Sequence, residues 1–427
     1  MKTNKLNFIR SVRVGPTIAT SRYSDLNIVS LIATVSLCIL LSAMIIACGT
    51  DPEEPTPPAP TAAPTEHPIP SFTPTAPTPT LAPTLTPTST STPTPTSTPT
   101  PAPTATHTVT PTPEATLEAG VPDQRYAVIG HTQHLTTLQW FLDDLGTKWY
   151  LNGQDSPEEI VLRIPGHTRL FYVDVTLITP IWTAQQIAMV TLDSPGAVWY
   201  ISGEPNRRFR PDEILEKLHS LYTMIKAADP SAQIMSPSLL NFDFTCNGCG
   251  GYMSGRDWLT TFIDLYQHEY GVLPPIDIWA IDLYPLDWVT LPTTNAALMI
   301  EQVIALRGYL DTFEEFSQDP IWITELGLHW GWDDIDWSVA ECDGMPHPKG
   351  EYQEDAVLLY WKTLFDFLDH NATLYQIEKW FVFITYYDIG TCNYESYNGV
   401  SLYSSGEIGA SLTTVGQYIR NRIHHIR

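Results

Sequence analysis

Basic residues are scarce. The 427-residue chain carries 22 Lys+Arg against 47 Asp+Glu, a formal net charge of -25, so no cationic patch is available to neutralise phosphates, and nucleic acid is excluded as an expected partner. The same acidity predicts a soluble chain, expected as a monomer, that repels anionic polymers. No Gly-rich dinucleotide fingerprint follows any strand candidate, which leaves a doubly wound nucleotide-binding sheet without support, and no cofactor is expected. Cysteine is sparse as well, with six in the chain.

Hydrophobicity and proline are distributed very unevenly. After a polar segment with Lys2, Lys5, Arg10, Arg13 and Arg22, the run Ile28–Ala47 carries no charge. Its 20 residues suit a spanning helix better than the shorter apolar core of a cleaved signal. "IIAC" at its end, with a small residue before Cys48, is similar to the lipobox of bacterial lipoproteins, in which that cysteine is lipid-modified. Both readings predict an extracytoplasmic protein held to a membrane through residues 1–48. Residues 49–120 are nearly all Pro, Thr, Ala and Ser, as in "TPTSTSTPTPTSTPT". Such a stretch cannot bury a core, and polyproline geometry extends it at about 3.1 Å per residue, so a disordered, semi-rigid stalk is expected.

Residues 121–427 hold all 13 Trp and have a regular rhythm. "VWYISGE", "AQIMSPSLL", "IDIWAIDLYP", "PIWITELGL" and "KWFVFITYYD" read as strands. Between them, "PDEILEKLHSLYTMIKAADP", "GRDWLTTFIDLYQHEYG", "TNAALMIEQVIALRGYLDTFEEF" and "YQEDAVLLYWKTLFDFLD" read as amphipathic helices, and "LTTVGQYIRNRI" closes the chain. Upstream, "RYAVIGH", "TKWYLNG" and the weaker "TRLFYVDV" supply three more strands, with helices at "LTTLQWFLDD" and "TAQQIAMVTL". Eight apolar strands alternating with helices over about 300 residues predict an α/β fold, the (β/α)8 TIM barrel.

In such a barrel the functional site lies at the carboxyl ends of the strands. The fourth strand ends at Glu204 in "SGEPN" and the seventh at Glu325 in "ITELG". Strands four and seven of eight face each other across the axis, so the two side chains can converge. Paired carboxyls are the equipment of glycoside hydrolysis. About 5 to 5.5 Å between them permits nucleophilic attack with retention, whereas about 6.5 to 9.5 Å leaves room for water and inversion.

With these motifs, residues 121–427 resemble the clan A, or 4/7, glycoside hydrolases. "WYISGEPN" resembles the strand-four motif, which commonly reads Asn-Glu-Pro. The resemblance implies Glu204 as acid/base, Glu325 as nucleophile and Tyr284 of "IDLYP" as a hydrogen-bond partner of that nucleophile. It also implies a polysaccharide or oligosaccharide substrate and no metal. Two positions depart from the pattern. Gly203 stands where the clan has an asparagine that contacts the sugar 2-hydroxyl, and Asp282 stands where histidine is common. An unreplaced bond to that hydroxyl costs about 10²- to 10³-fold in rate, and Asn206 is the nearest substitute. A barrel that binds glycan without cleaving it is the competing expectation, and an envelope spacer or adhesion protein is a third.

Other candidates surround the predicted mouth. Trp330, Trp332 and Trp337 fall in "GLHWGWDDIDWSV", read as a long acidic loop, with Trp288 after strand six; each serves either as a sugar-stacking platform or as packing. His134, with His131, ends strand one. Cys246, Cys249, Cys342 and Cys392 lie in predicted loops on the same side. Outside the cytoplasm they suggest two disulfides, with Cys246–Cys249 and Cys342–Cys392 favoured among three connectivities, against a four-thiolate zinc site that lacks a second C-x-x-C.

Overall fold

A computed structural model describes residues 121–130, 134–152, 162–175, 183–340, 346–387 and 400–425. By its internal contacts the chain divides into Met1–Thr104 and Ala105–Arg427, and every described residue belongs to the second unit. The expected anchor at residues 1–48 with Cys48, the stalk at 49–120, His131, Cys342 and Cys392 lie outside the described residues.

Parallel strands and, among the described residues, seven α-helices build this unit. The strands are β1 (Tyr126–Gly130), β2 (Trp149–Asn152), β3 (Thr168–Val173), β4 (Val198–Ile201), β5 (Gln233–Met235), β6 (Leu239–Leu240), β7 (Trp279–Leu283), β8 (Ile321–Leu326) and β11 (Ile377–Val382); a hairpin of β9 (Trp332–Ala340) and β10 (Pro346–Tyr352) is inserted before the last. The helices are α1 (Leu135–Leu145), α2 (Ala184–Asp193), α3 (Pro211–Ala228), α4 (Gly255–Tyr270), α5 (Ala296–Leu310), α6 (Glu354–Asn371) and α7 (Thr414–Ile423). The main sheet runs in the order β5-β4-β3-β2-β1-β11-β8-β7-β6, and every pairing in it is parallel.

The two ends of that sheet are one barrel strand. β5 and β6 are successive parts of "QIMSPSLL", interrupted at Ser236–Ser238, where Pro237 has no N–H to give a ladder. β5 pairs with β4 and β6 with β7. The break itself is bridged, with Ser236 N donating to Ile278 O at 2.8 Å and Ser238 N to Ser202 O at 3.0 Å. Nine strand segments therefore form eight staves, and the sheet closes on itself as a (β/α)8 barrel.

Alternation along the strands separates two cores. Tyr126, Val128, Trp199, Ile201, Trp279 and Ile281 pack with the buried helix faces. Their neighbours Ala127, Ile129, Val198, Tyr200 and Ala280 belong to a second cluster drawn almost wholly from strands. That second cluster fills the lumen, which is a packed interior rather than a pore. The helices are held at defined ends: Thr183 and Gln186 form a capping box, Ser254, Asn295 and Thr413 accept from first-turn N–H groups, and Gly146 and Gly271 close helices in the left-handed conformation.

Two expectations about elements need correction. The helix expected through Phe316 stops at Leu310, and "DTFEEF" continues as turns. The segment expected as a loop carrying Trp332 and Trp337 is instead strand β9, paired antiparallel with β10. Its "DDID" core hides the alternation, because acidic side chains occupy both faces of an exposed ribbon.

Candidate active site

Glu204 and Glu325 reach the same place by different backbone devices. Beyond β4 the chain leaves the strand abruptly, with Ser202 at φ 70° and Glu204 at φ 47°, a left-handed conformation that non-glycine residues adopt at a cost of order 1 to 3 kcal/mol. Glu204 N donates to Ser238 O at 2.8 Å, which ties this bend to the next strand. A short 3-10 turn, Pro205–Arg207, follows and brings Arg207 back, so that its Nη1 lies 2.6 Å from Glu204 Oε2.

Glu325 depends on a bulge. In β8, Ile321 and Ile323 face the helices while Trp322 faces the lumen, so strict alternation would send Glu325 outward with the isoleucines. The register slips instead. Ile281 and Asp282 of β7 are adjacent but pair with Ile323 and Glu325, and the β11 ladder slips over the same stretch. One extra residue resets the phase, Thr324 and Glu325 both face inward, and Leu326 returns to the outer core.

One carboxylate oxygen from each of Glu204, Asp282 and Glu325 lies within 4.8 Å of the others. That is shorter than the separation of about 6.5 to 9.5 Å that admits a water between two carboxyls. Tyr284 donates its hydroxyl to Glu325 Oε2 at 2.7 Å, the contact that the resemblance implies for it. The Tyr284 ring stacks on His329 with centroids 4.3 Å apart and planes 10° apart. Gly327 is required beside it, since a Cβ at this position would run into the Tyr284 ring.

Asp282 is fully buried and so is not the substrate contact it was expected to be. Thr324 Oγ1 donates to its Oδ1 at 2.7 Å and is itself 2.7 Å from Ser238 Oγ. Asn206 also needs correction. It is 2% exposed, its Nδ2 donates to the carbonyls of Leu240 and Met253, and its Oδ1 accepts from Leu240 N. Both of its N–H donors and one oxygen lone pair go into tying the turn after Glu204 to β6 and to the Met253 carbonyl. Gly203 is not an empty notch, because a Cβ there would stand 3.0 Å from Tyr200 Oη and 3.5 Å from Tyr172 Oη. Two tyrosine hydroxyls occupy the region into which a side chain at 203 would grow, and Tyr172 is half-buried.

Burial, and then the charge of Glu204, push the Glu325 carboxyl up to about 8, against the opposing pull of the Tyr284 hydroxyl and Arg207. Asp282 is pushed well above the usual carboxylate range by burial, then by Glu325 and Glu204. Burial takes His329 down to about 4, so it is a neutral ring at neutral pH. Each carboxylate already has a donor, and Arg207 brings a positive charge into the group. The set therefore fits proton transfer among acids better than the holding of a cation.

Aromatic rings cluster in the segments that follow β7 and β8, though not the ones expected from position alone. Trp330 is fully buried, and this corrects its assignment to an exposed loop. It packs under Trp288 (5.8 Å, 66°), which meets Trp337 (5.7 Å, 72°); Trp337 is 55% exposed. Trp332 turns away onto Tyr352 and lies only partly exposed. Trp288 is pinned by its N–H to Asn247 O at 2.9 Å, and Asn247 Nδ2 donates to Asp287 Oδ1 at 2.8 Å. Asn247 lies within the Cys246–Cys249 disulfide. His134 is exposed at the start of α1 and makes no capping bond with its side chain. Arg207, His329, Tyr172 and Thr324 were not legible as site residues. Only Arg207 has a sequence signal, a cation three residues past a strand-end glutamate and Pro205.

The sequence matches no protein-family model and no curated protein. Among solved structures, the chain is similar to an endo-beta-1,3-glucanase from Lentinula edodes, with 14% identity over 69% of this chain and 98% of that one, at a TM-score of 0.42. It is similar to the endo-beta-1,4-mannanase from Thermotoga petrophila, with 10% identity over 71% of this chain and 76% of that one, at a TM-score of 0.38. A family 39 glycoside hydrolase from Bacteroides cellulosilyticus shares 14% identity over 66% of this chain and 60% of its own, at a TM-score of 0.42.

Proposed function

We propose that this chain is a retaining glycoside hydrolase, exported and anchored through its N-terminal segment with Cys48, that acts on an extracellular polysaccharide. The observation that carries this reading is the approach of Glu204 and Glu325 to within 4.8 Å at the carboxyl ends of opposed strands. Glu325 attacks the anomeric carbon while Glu204 gives its proton to the leaving oxygen. Glu204 then takes a proton from the water that releases the glycosyl group from Glu325.

The pair must hold a single proton for this. When the proton sits on Glu204, the repulsion that adds to burial in raising Glu325 disappears, and Tyr284 and Arg207 work against the burial that remains. The aromatic step from Trp288 to Trp337 offers apolar faces for sugar C–H surfaces, and the half-buried Tyr172 is the hydroxyl nearest Gly203 on the third strand.

A second reading has its own support. The Arg207 guanidinium lies 2.6 Å from Glu204 Oε2, occupying an oxygen that the acid role needs for the leaving group, which suits a barrel that binds glycan without cleaving it. A panel of extracellular polysaccharides incubated with residues 121–427 carrying the native sequence, Glu325→Gln or Glu204→Gln separates the two. Hydrolysis is expected from the native domain, with a loss of at least about 10³-fold in either variant. Glycan binding without release of reducing ends from any polymer would overturn the hydrolase in favour of the binding barrel.

A further inference from the structure

We propose that Asp282 is a permanently neutral carboxylic acid, a positioning residue that forms the floor beneath Glu204 and Glu325 and leaves the pair above it as the only carboxyls that exchange protons. The proposal rests on the hydrolase reading for its consequence, but not for its test.

Four observations support it. Asp282 is 0% exposed, so bulk solvent does not reach its carboxyl. Among the described residues no arginine, lysine or histidine is hydrogen-bonded or ion-paired to it. Its partners are hydroxyls, Thr324 at 2.7 Å and Tyr200 at the outer limit of 3.5 Å. The titratable groups that face it are Tyr200 on β4, Glu204 beyond β4, Tyr284 beyond β7 and Glu325 on β8; the cation of the group, Arg207, is paired to Glu204 rather than to Asp282. A buried unpaired carboxylate costs several kcal/mol and takes up a proton instead.

The chemical consequence follows from the crowding. An ionised Asp282 would add a second negative charge within 4.8 Å of Glu325 and hold that carboxyl protonated, where it cannot attack. A neutral Asp282 adds no charge while its carbonyl oxygen still anchors Thr324, the residue of the bulge that aims Glu325 inward. Its place is thus fixed by shape and hydrogen bonding, and asparagine is its closest mimic.

Infrared difference spectroscopy of the native domain labelled with 13C-aspartate tests this without a substrate, because the two glutamates stay silent. A labelled protonated-carboxyl carbonyl band is expected to persist at pH 7, about three units above the ordinary aspartate range, and to vanish in Asp282→Asn. Its absence from the native protein at pH 7 would overturn the proposal, and that result needs no folded variant. Once a hydrolysed glycan is known, Asp282→Asn should leave the alkaline limb of kcat/KM in place. A fall of that limb by about one pH unit or more would mean that an ionised Asp282 had been raising it, again overturning the proposal. Failure to find any hydrolysed glycan leaves the infrared result standing, so the two readings fail separately.

Discussion

Arg207 has a double effect on the site. Its guanidinium lies against Glu204, and its charge also lowers Glu325. Removing it takes a favourable charge away from both carboxylates, so the pair should hold its shared proton more tightly. Arg207→Met is therefore expected to move the alkaline limb of activity upward and to reduce the rate at neutral pH, where more of Glu325 stays protonated. Because the Arg207 side chain is 44% exposed, solvent screening limits the shift to about one pH unit or less. A pH profile of kcat/KM for the variant checks this, and a downward shift would contradict it.

At the level of elements, the tryptophans separate packing from recognition. Trp330 lies wholly inside, whereas Trp337 stands on the β9 ribbon with more than half its surface open. Trp330→Ala should cost about 3 to 5 kcal/mol of stability in denaturant unfolding. Trp337→Ala should change stability by no more than about 0.5 kcal/mol while weakening glycan binding in a pull-down. Sequence pattern alone gave no way to tell the two rings apart. Strands and helices were legible because a buried parallel strand is apolar throughout and a barrel helix repeats every 3.6 residues, and even the weak third strand, Thr168–Val173, is present. Glu204 and Glu325 were legible because they interrupt apolar runs at strand ends. Asn206 was misread, since its polarity suggested the cleft while its three hydrogen bonds to backbone lie beneath it. The bulge at Thr324 was invisible because it arises from pairing with distant strands, which leaves no local composition, whereas Arg207 left only its i,i+3 spacing from Glu204.

For the whole molecule, buried acids tie stability to pH. Glu325 and Asp282 have raised affinity for protons in the folded chain, whereas in the unfolded chain they ionise near pH 4. Between about pH 4 and pH 8 the folded state holds protons that the unfolded state has released, so stability falls as the pH rises through that window. Calorimetry should show Tm declining from pH 5 to pH 8, with a shallower decline in Glu325→Gln, which has nothing to titrate at that position. An unchanged slope in the variant would show that Glu325 ionises normally in the folded protein.

The slip in β8 also matters for how such a scaffold can change over time. Hydrophobic patterning and the number of inward polar residues are set independently there, because the outer core takes Ile323 and Leu326 while two residues, not one, lie between them. Shortening that interval by one residue, at Thr324, would restore strict alternation with Ile323 and Leu326 still outside and the acid still inward, and would remove the hydroxyl bonded to Asp282. The extra residue thus gives the carboxyl cluster an additional inward polar contact, Thr324 to Asp282, without altering the apolar positions on either side.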